Sequence, residues 1–171
     1  MLQKLIPGYH LHSGSGLDRA LLIKFMARTY AELYPEQDFS HLASTVEQYF
    51  SDKTPLWWVK KELDSDAMKP DLTLGQKLVI KAQSVVGCLW LGNSIDQVNG
   101  ERNTHIFLLY VAPEYRRQGI GKALMNHAEN WAKNRGYKSM SLQVFTNNQP
   151  AINLYEKLGY QTRCLLMFKS L

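Results

Sequence analysis

"HIFLLYVAPEYRRQGIGKAL", residues 105–124, decides how this chain is read. Up to Pro113 it is apolar with hardly a break, as in a strand covered on both faces. Beyond Pro113, Gly119 and Gly121 stand two apart and an apolar-periodic segment follows. The order is strand, tight turn, helix. A helix N-terminus leaves its first backbone N–H groups unpaired and carries the positive end of the helix dipole, which makes it a natural anion site. Neither glycine has a side chain to keep a phosphate off those N–H groups. Arg116, Arg117 and Lys122 add positive charge around them. The spacing is not that of a P-loop, which needs four residues between its glycines and Ser or Thr after its Lys. It is not a dinucleotide fingerprint either, whose third glycine would fall at Leu124. Taken alone, the stretch is either a phosphate cradle or a plain strand-to-helix turn.

The flanking sequence sets this unit in an alternating pattern. "YHLH" (9–12) reads as a strand, and residues 17–34 as a helix with Leu21, Phe25, Tyr30 and Leu33 near helical period. Residues 41–50 offer a second helix with Leu42, Val46 and Tyr49 on one face. Strands follow at 55–61, in "LVIKA" (78–82) and in "VVGCLWLG" (85–92), with a polar loop over 62–77 and a turn-rich connector over 93–103. After the strand at 105–113, the helix opened by the glycines buries Leu124, Ala128, Trp131 and Ala132 and stops at Gly136. A strand over 139–145, a helix over 149–159 and one or two strands in "YQTRCLLMFKS" (160–170) complete a mixed α/β order.

Composition narrows the classes. The 171 residues suit one domain, 45% hydrophobic and 20% charged, as expected of a soluble globular chain. No apolar run reaches the roughly 20 residues that span a bilayer, so no membrane association is expected. Pro7, Gly8 and His10 break what would be a signal-peptide core. Cys88 and Cys164 lie in apolar runs and read as buried free thiols, which points to a reducing, cytoplasmic setting. The net charge of +5 is scattered rather than gathered in a tail. It fits nucleic acid or a small polyanion, and composition does not choose between them.

A second pattern chooses. "NNQPAINLYEKLGY" (147–160) holds Asn148, Ala151, Tyr155, Gly159 and Tyr160 at fixed spacing. Together with "LYVAPEYRRQGIG", these residues resemble the GNAT superfamily of acyl-CoA-dependent N-acyltransferases. That family carries Arg/Gln-x-x-Gly-x-Gly/Ala after a strand ending in a Val-x-Pro-like pattern, and further on Asn-x-x-Ala-x-x-x-Tyr-x-x-x-Gly-Phe/Tyr. The match covers the second half of the chain well; the first half agrees only in its order of elements. The resemblance implies an α/β (α+β) fold with a twisted, mixed, mostly antiparallel sheet of six or seven strands. About four helices would cover its two faces, with strands splayed at the cofactor site. It places an acetyl-CoA-binding core over about residues 105–160, with the N-terminal part on the acceptor side.

The resemblance also implies roles. Acetyl-CoA is the expected co-substrate, with no metal and no nucleic-acid partner. Arg116 and the backbone N–H groups of Arg117, Gln118, Gly119, Ile120, Gly121 and Lys122 would hold its pyrophosphate. The pantetheine arm would pair with backbone around Leu109, Tyr110 and Val111, and Asn148 would contact that arm. An N–H near Val111 would polarise the thioester carbonyl. The expected reaction is direct attack by the neutral primary amine of a small molecule or peptide, which needs one base and one acid. Tyr155 occupies the acid position, and a phenol with its ordinary pKa near 10 stays protonated at neutral pH.

The base is not assigned. The branch that acetylates protein N-termini often has Glu in Leu-Glu-Val-x-x-x-Asn, but "LQVFTNN" puts Gln143 there. Glu32, a water relay or His105 are the alternatives, although His105 and His127 read more naturally as structural. Tyr30, Tyr34, Phe39, Trp57 and Trp58 are candidate walls for an apolar or flat amine. Glu32, Glu36 and Asp38 are candidates to attract a cationic one. The competing reading is a non-catalytic acyl-CoA sensor or partner-binding module on the same fold. Homodimers are common in the family.

Overall fold

The structure is a computed structural model that describes residues 3–62, 73, 75 and 84–170. Six strands form one sheet in sequence order: β1 (Gln3–Ile6), β2 (Tyr9–Ser13), β3 (Leu56–Lys61), β4 (Val85–Ile95), β5 (Arg102–Val111) and β6 (Met140–Leu142). Neighbours run antiparallel from β1 to β5, and β6 joins β5 in parallel. Accompanying them among the described residues are the α-helices α1 (Arg19–Ala31), α2 (Leu42–Tyr49), α3 (Ile120–Asn134) and α4 (Gln149–Lys157).

Side chains alternate across the strands, so each strand feeds two cores. Leu56, Trp58, Cys88, Trp90, Leu108 and Tyr110 pack under Leu22, Phe25 and Met26 of α1 and Leu42 and Val46 of α2. On the opposite face, Trp57, Val59, Val86, Leu89 and Ile106 meet Ile120, Leu124, Met125 and Ala128 of α3 and Tyr155 of α4. This three-layer mixed sheet has the architecture that the resemblance implied.

Local chemistry sets the element ends. Ser15 and Asp18 form a capping box ahead of α1. Gly136 and Gly159, with φ of 77° and 89°, follow α3 and α4 where the chain turns left-handed. Pro150 sits in the first turn of α4, and Asn148 caps it.

Several expectations change. β1 was not anticipated; Pro7 and Gly8, read as interruptions, are the turn of a hairpin, with Gly8 at φ 79°. The connector over 93–103 shrinks to a short turn, because β4 runs on to Ile95 and β5 begins at Arg102. No strand forms within residues 160–170, where Leu165, Leu166, Met167 and Phe168 are exposed. β6 offers only three residues to pair with, so an edge partner would gain little there. Cys164 lies in this segment and is exposed, unlike the buried Cys88. The strand expected at 78–82 and most of the polar loop before it lie outside the described residues.

Candidate active site

β6 pairs with β5 only from Thr104 to Ile106. Beyond that point the edge of β5 facing β6 has no strand partner among the described residues. A bulge marks the place. Trp90 faces Leu108 while Leu91 faces Ile106, which leaves Phe107 out of the ladder with β4. Bulges turn a strand and often end pairing beside functional sites. Here Ile106 points into the α3/α4 core, whereas Phe107, Leu108 and Tyr110 pack on the α1/α2 side.

The open edge has a defined polarity. Ala112 donates its N–H to Val86 O across the β4 ladder at 2.8 Å. In an antiparallel strand both backbone groups of alternate residues face the same neighbour. Tyr110 and Ala112 therefore serve β4, and Leu109 and Val111 turn their N–H and C=O groups to the open edge. The expected N–H near Val111 is on that edge. The backbone of Tyr110 is not; its phenol reaches across to Glu32 instead, at 3.1 Å.

The turn after β5 delivers the chain to the N-terminus of α3. Arg117 and Gly119 both adopt left-handed backbone, at φ 62° and 86°. The first backbone bond of α3 runs from Ala123 N–H to Gly119 O, so the N–H groups of Ile120, Gly121 and Lys122 lack helical acceptors. Nothing lies within 4 Å of where a Cβ on Gly119 would stand, so the approach to the turn is open. A Cβ on Gly121 would meet Leu154 of α4 at 3.3 Å, so this glycine also lets α4 pack close. The Tyr9 hydroxyl donates to Gln118 Oε1 at 2.7 Å and ties the turn to β2. An open cradle of backbone N–H groups with Arg117 and Lys122 exposed beside it fits a pyrophosphate.

Tyr155 lies 9% exposed in the core that also receives Leu109 and Val111. Burial pushes its phenol up to about 12, so the proton is held firmly at neutral pH. The Asn148 side chain accepts from Ala151 N–H at 3.3 Å. Gln143 is exposed, just past the end of β6.

His105 sits six residues before Val111 and bonds to Ser141 Oγ at 2.9 Å. At about 3.3 Å per residue it lies roughly 20 Å along the strand from Val111. His127 packs edge-on against Trp57, with ring centroids 4.7 Å apart. Burial pulls both imidazoles below their usual range.

Among the rings expected to wall an acceptor pocket, Tyr30 stacks on Phe39, and Tyr34 joins them through Phe145. Trp57 and Trp58 do not join them; they are buried in opposite cores. Their place is taken by Phe145, whose ring meets Tyr30 at 6.0 Å and Tyr34 at 5.3 Å. No local signal singles out Phe145, because only the fold brings the end of β6 against the end of α1. Glu32 accepts two bonds from Arg116 Nη2, at 2.9 and 2.7 Å, as well as the phenol of Tyr110.

A model of the acetyltransferase (GNAT) family matches residues 23–160, most of the chain and both motifs. The chain is a member of the GNAT family. Among curated relatives, the alanine N-acetyltransferase of ribosomal protein bS18 from Escherichia coli K12 is 42% identical over 55 residues, covering 32% of this chain and 37% of that protein. The uncharacterized N-acetyltransferase YycN of Bacillus subtilis is 32% identical over 94 residues, 55% of this chain and 59% of its own length. These matches thus span less than two thirds of those relatives. Among solved structures, an aminoglycoside acetyltransferase from an uncultured soil metagenomic sample superposes with a TM-score of 0.66 at 15% identity, over 98% of this chain and 99% of that one. Such GNAT neighbours share the fold of this chain.

Proposed function

We infer that this GNAT chain transfers an acetyl group from acetyl-CoA to the primary amine of a small molecule or peptide. The observation that carries the reading is the coincidence, at one end of β5, of an unpaired strand edge with an open N–H cradle. A long cofactor with an amide-bearing arm and a pyrophosphate needs both. The N–H groups of Arg117 to Lys122 bind the pyrophosphate. Backbone at Leu109 and Val111 pairs with the arm along the open edge, and Asn148 lies at the head of α4 on the other side of the gap. Bound acetyl-CoA supplies the acetyl thioester.

The chain's own residues assist the transfer, while the proton lost by the attacking amine passes to water. A backbone N–H near Val111 faces the reacting carbonyl and favours the charge that develops on its oxygen. Tyr155 holds a proton for the departing sulfur, and its burial keeps that proton in place. Tyr30, Tyr34, Phe39 and Phe145 wall the acceptor side.

The test is thiol release from acetyl-CoA across amines chosen from the chemistry of the relatives: alanine-starting peptides, aminoglycosides, polyamines and amino acids. Acetylation of one class, confirmed by product mass, supports the reading. Silence across the panel, with acetyl-CoA still raising the melting temperature, would instead support a cofactor-binding module without transfer.

A further inference from the structure

One guanidinium stands where two functions meet. Arg116 is the first residue of the Arg-x-x-Gly-x-Gly stretch, but its side chain does not point at the cradle. Its Nε donates to Val111 O at 2.7 Å, covering a carbonyl on the open edge of β5. Its Nη2 pairs with both carboxylate oxygens of Glu32, at 2.9 and 2.7 Å. The guanidinium also lies 5.7 Å from the Tyr110 ring centre. Glu32 ends α1, between Tyr30 and Tyr34 in the chain, and so belongs to the acceptor side. In the free chain a single arginine thus occupies the cofactor's strand edge and neutralises the carboxylate nearest to it.

We propose that Glu32 receives the ammonium group of the acceptor, and that Arg116 masks it until the cofactor's pyrophosphate draws the guanidinium away. The proposal rests on the acetyltransferase reading above. The balance of charge favours the exchange. The pair is partly exposed, 42% at Arg116 and 34% at Glu32, and so is weakly held. A pyrophosphate seated a few residues further along offers the arginine more negative charge and a bidentate geometry. Its departure frees Val111 O for the cofactor arm and leaves Glu32, among the described residues, bonded to the Tyr110 hydroxyl. The freed carboxylate, beside aromatic rings, then suits a primary ammonium. By reciprocity, bound cofactor raises affinity for the amine.

Calorimetric titration with coenzyme A alone tests the mask without turnover, on the wild-type chain, Glu32→Gln, Arg116→Gln and the double variant. Glu32→Gln releases the arginine in advance and should tighten coenzyme A roughly two- to fivefold, the worth of a partly exposed ion pair. Arg116→Gln should weaken it roughly tenfold or more, the loss of a charge-assisted bond. In the double variant the gain from Glu32→Gln should vanish. No gain in the single variant overturns the mask. A gain that persists without Arg116 also overturns it, since that is plain repulsion between Glu32 and phosphate. Melting curves confirm that each variant folds. If Arg116→Gln does not, Arg116→Met, which keeps the length of the stem and removes the charge, takes its place in the cycle.

The acceptor role is read from kinetics with the amine that the wild-type chain acetylates. Glu32→Gln should raise KM for the amine with kcat little changed, and an unchanged KM overturns the role. If the wild-type chain binds coenzyme A but acetylates nothing, the transferase reading and the acceptor role fall together. The binding cycle still decides the mask in that case. Failure to bind coenzyme A overturns all three.

Discussion

Tyr155 carries the sharpest prediction at the scale of one residue. Its hydroxyl is what the proton step needs, while its ring is a core side chain beside Tyr160. Tyr155→Phe keeps the ring and removes the proton. Turnover should drop roughly 100-fold, as for loss of a general acid, with coenzyme A affinity unchanged. Steady-state rates and calorimetry on the same preparation check this; full turnover in Tyr155→Phe would remove the residue from the mechanism. Tyr155, Asn148, Gly119 and Gly121 stood out in the sequence because their motif spacing is a local pattern. The contact of Arg116 with Glu32 was not. It joins residues 84 positions apart, and no local pattern predicts where an arginine side chain will lie.

Among the elements, the site exists because β5 loses one partner while keeping the other. The bulge at Phe107 is made possible by a neighbour. A Cβ on Gly92 would stand 2.0 Å from the Phe107 ring, inside its van der Waals surface. Gly92→Ala should therefore push the ring off Trp90, which it now faces at 4.7 Å. The expected cost is about 1–3 kcal/mol, as for overpacking. Denaturant unfolding reads that cost, and coenzyme A binding should weaken as the end of β5 shifts; a neutral substitution would show that the ring is free to move. The sequence announced β5 as a covered central strand but hid its bulge, since an unbroken apolar run looks the same with or without one extra residue. The hairpin of β1 and β2 was hidden for another reason: Pro7 and Gly8 break a helix or a signal core as readily as they make a turn.

For the molecule as a whole, two buried phenols set an alkaline limit. Burial, with the charge of Glu32 added at Tyr110, pushes Tyr110 and Tyr155 up to about 12. In the unfolded chain both titrate near 10. The fold favours their neutral forms, so this stability is fully present below about pH 10 and is lost as pH rises towards 12, at no more than about 1.4 kcal/mol per pH unit for the buried Tyr155. Denaturation midpoints measured from pH 8 to 11.5 should fall steeply above pH 10, and less steeply in Tyr155→Phe; an equal slope in both would mean that Tyr155 does not contribute. The layered α/β order, the N–H cradle at the head of α3 and the family all follow from local pattern, because apolar period, glycine freedom and motif spacing act over neighbouring residues. Three features come from packing alone: β6 leaves β5 after Ile106, Phe145 takes the place expected of Trp57 and Trp58, and Arg116 lies on Glu32. Each depends on which surfaces meet when two cores close on opposite faces of one sheet, and that is a property of the packed chain rather than of any segment of it.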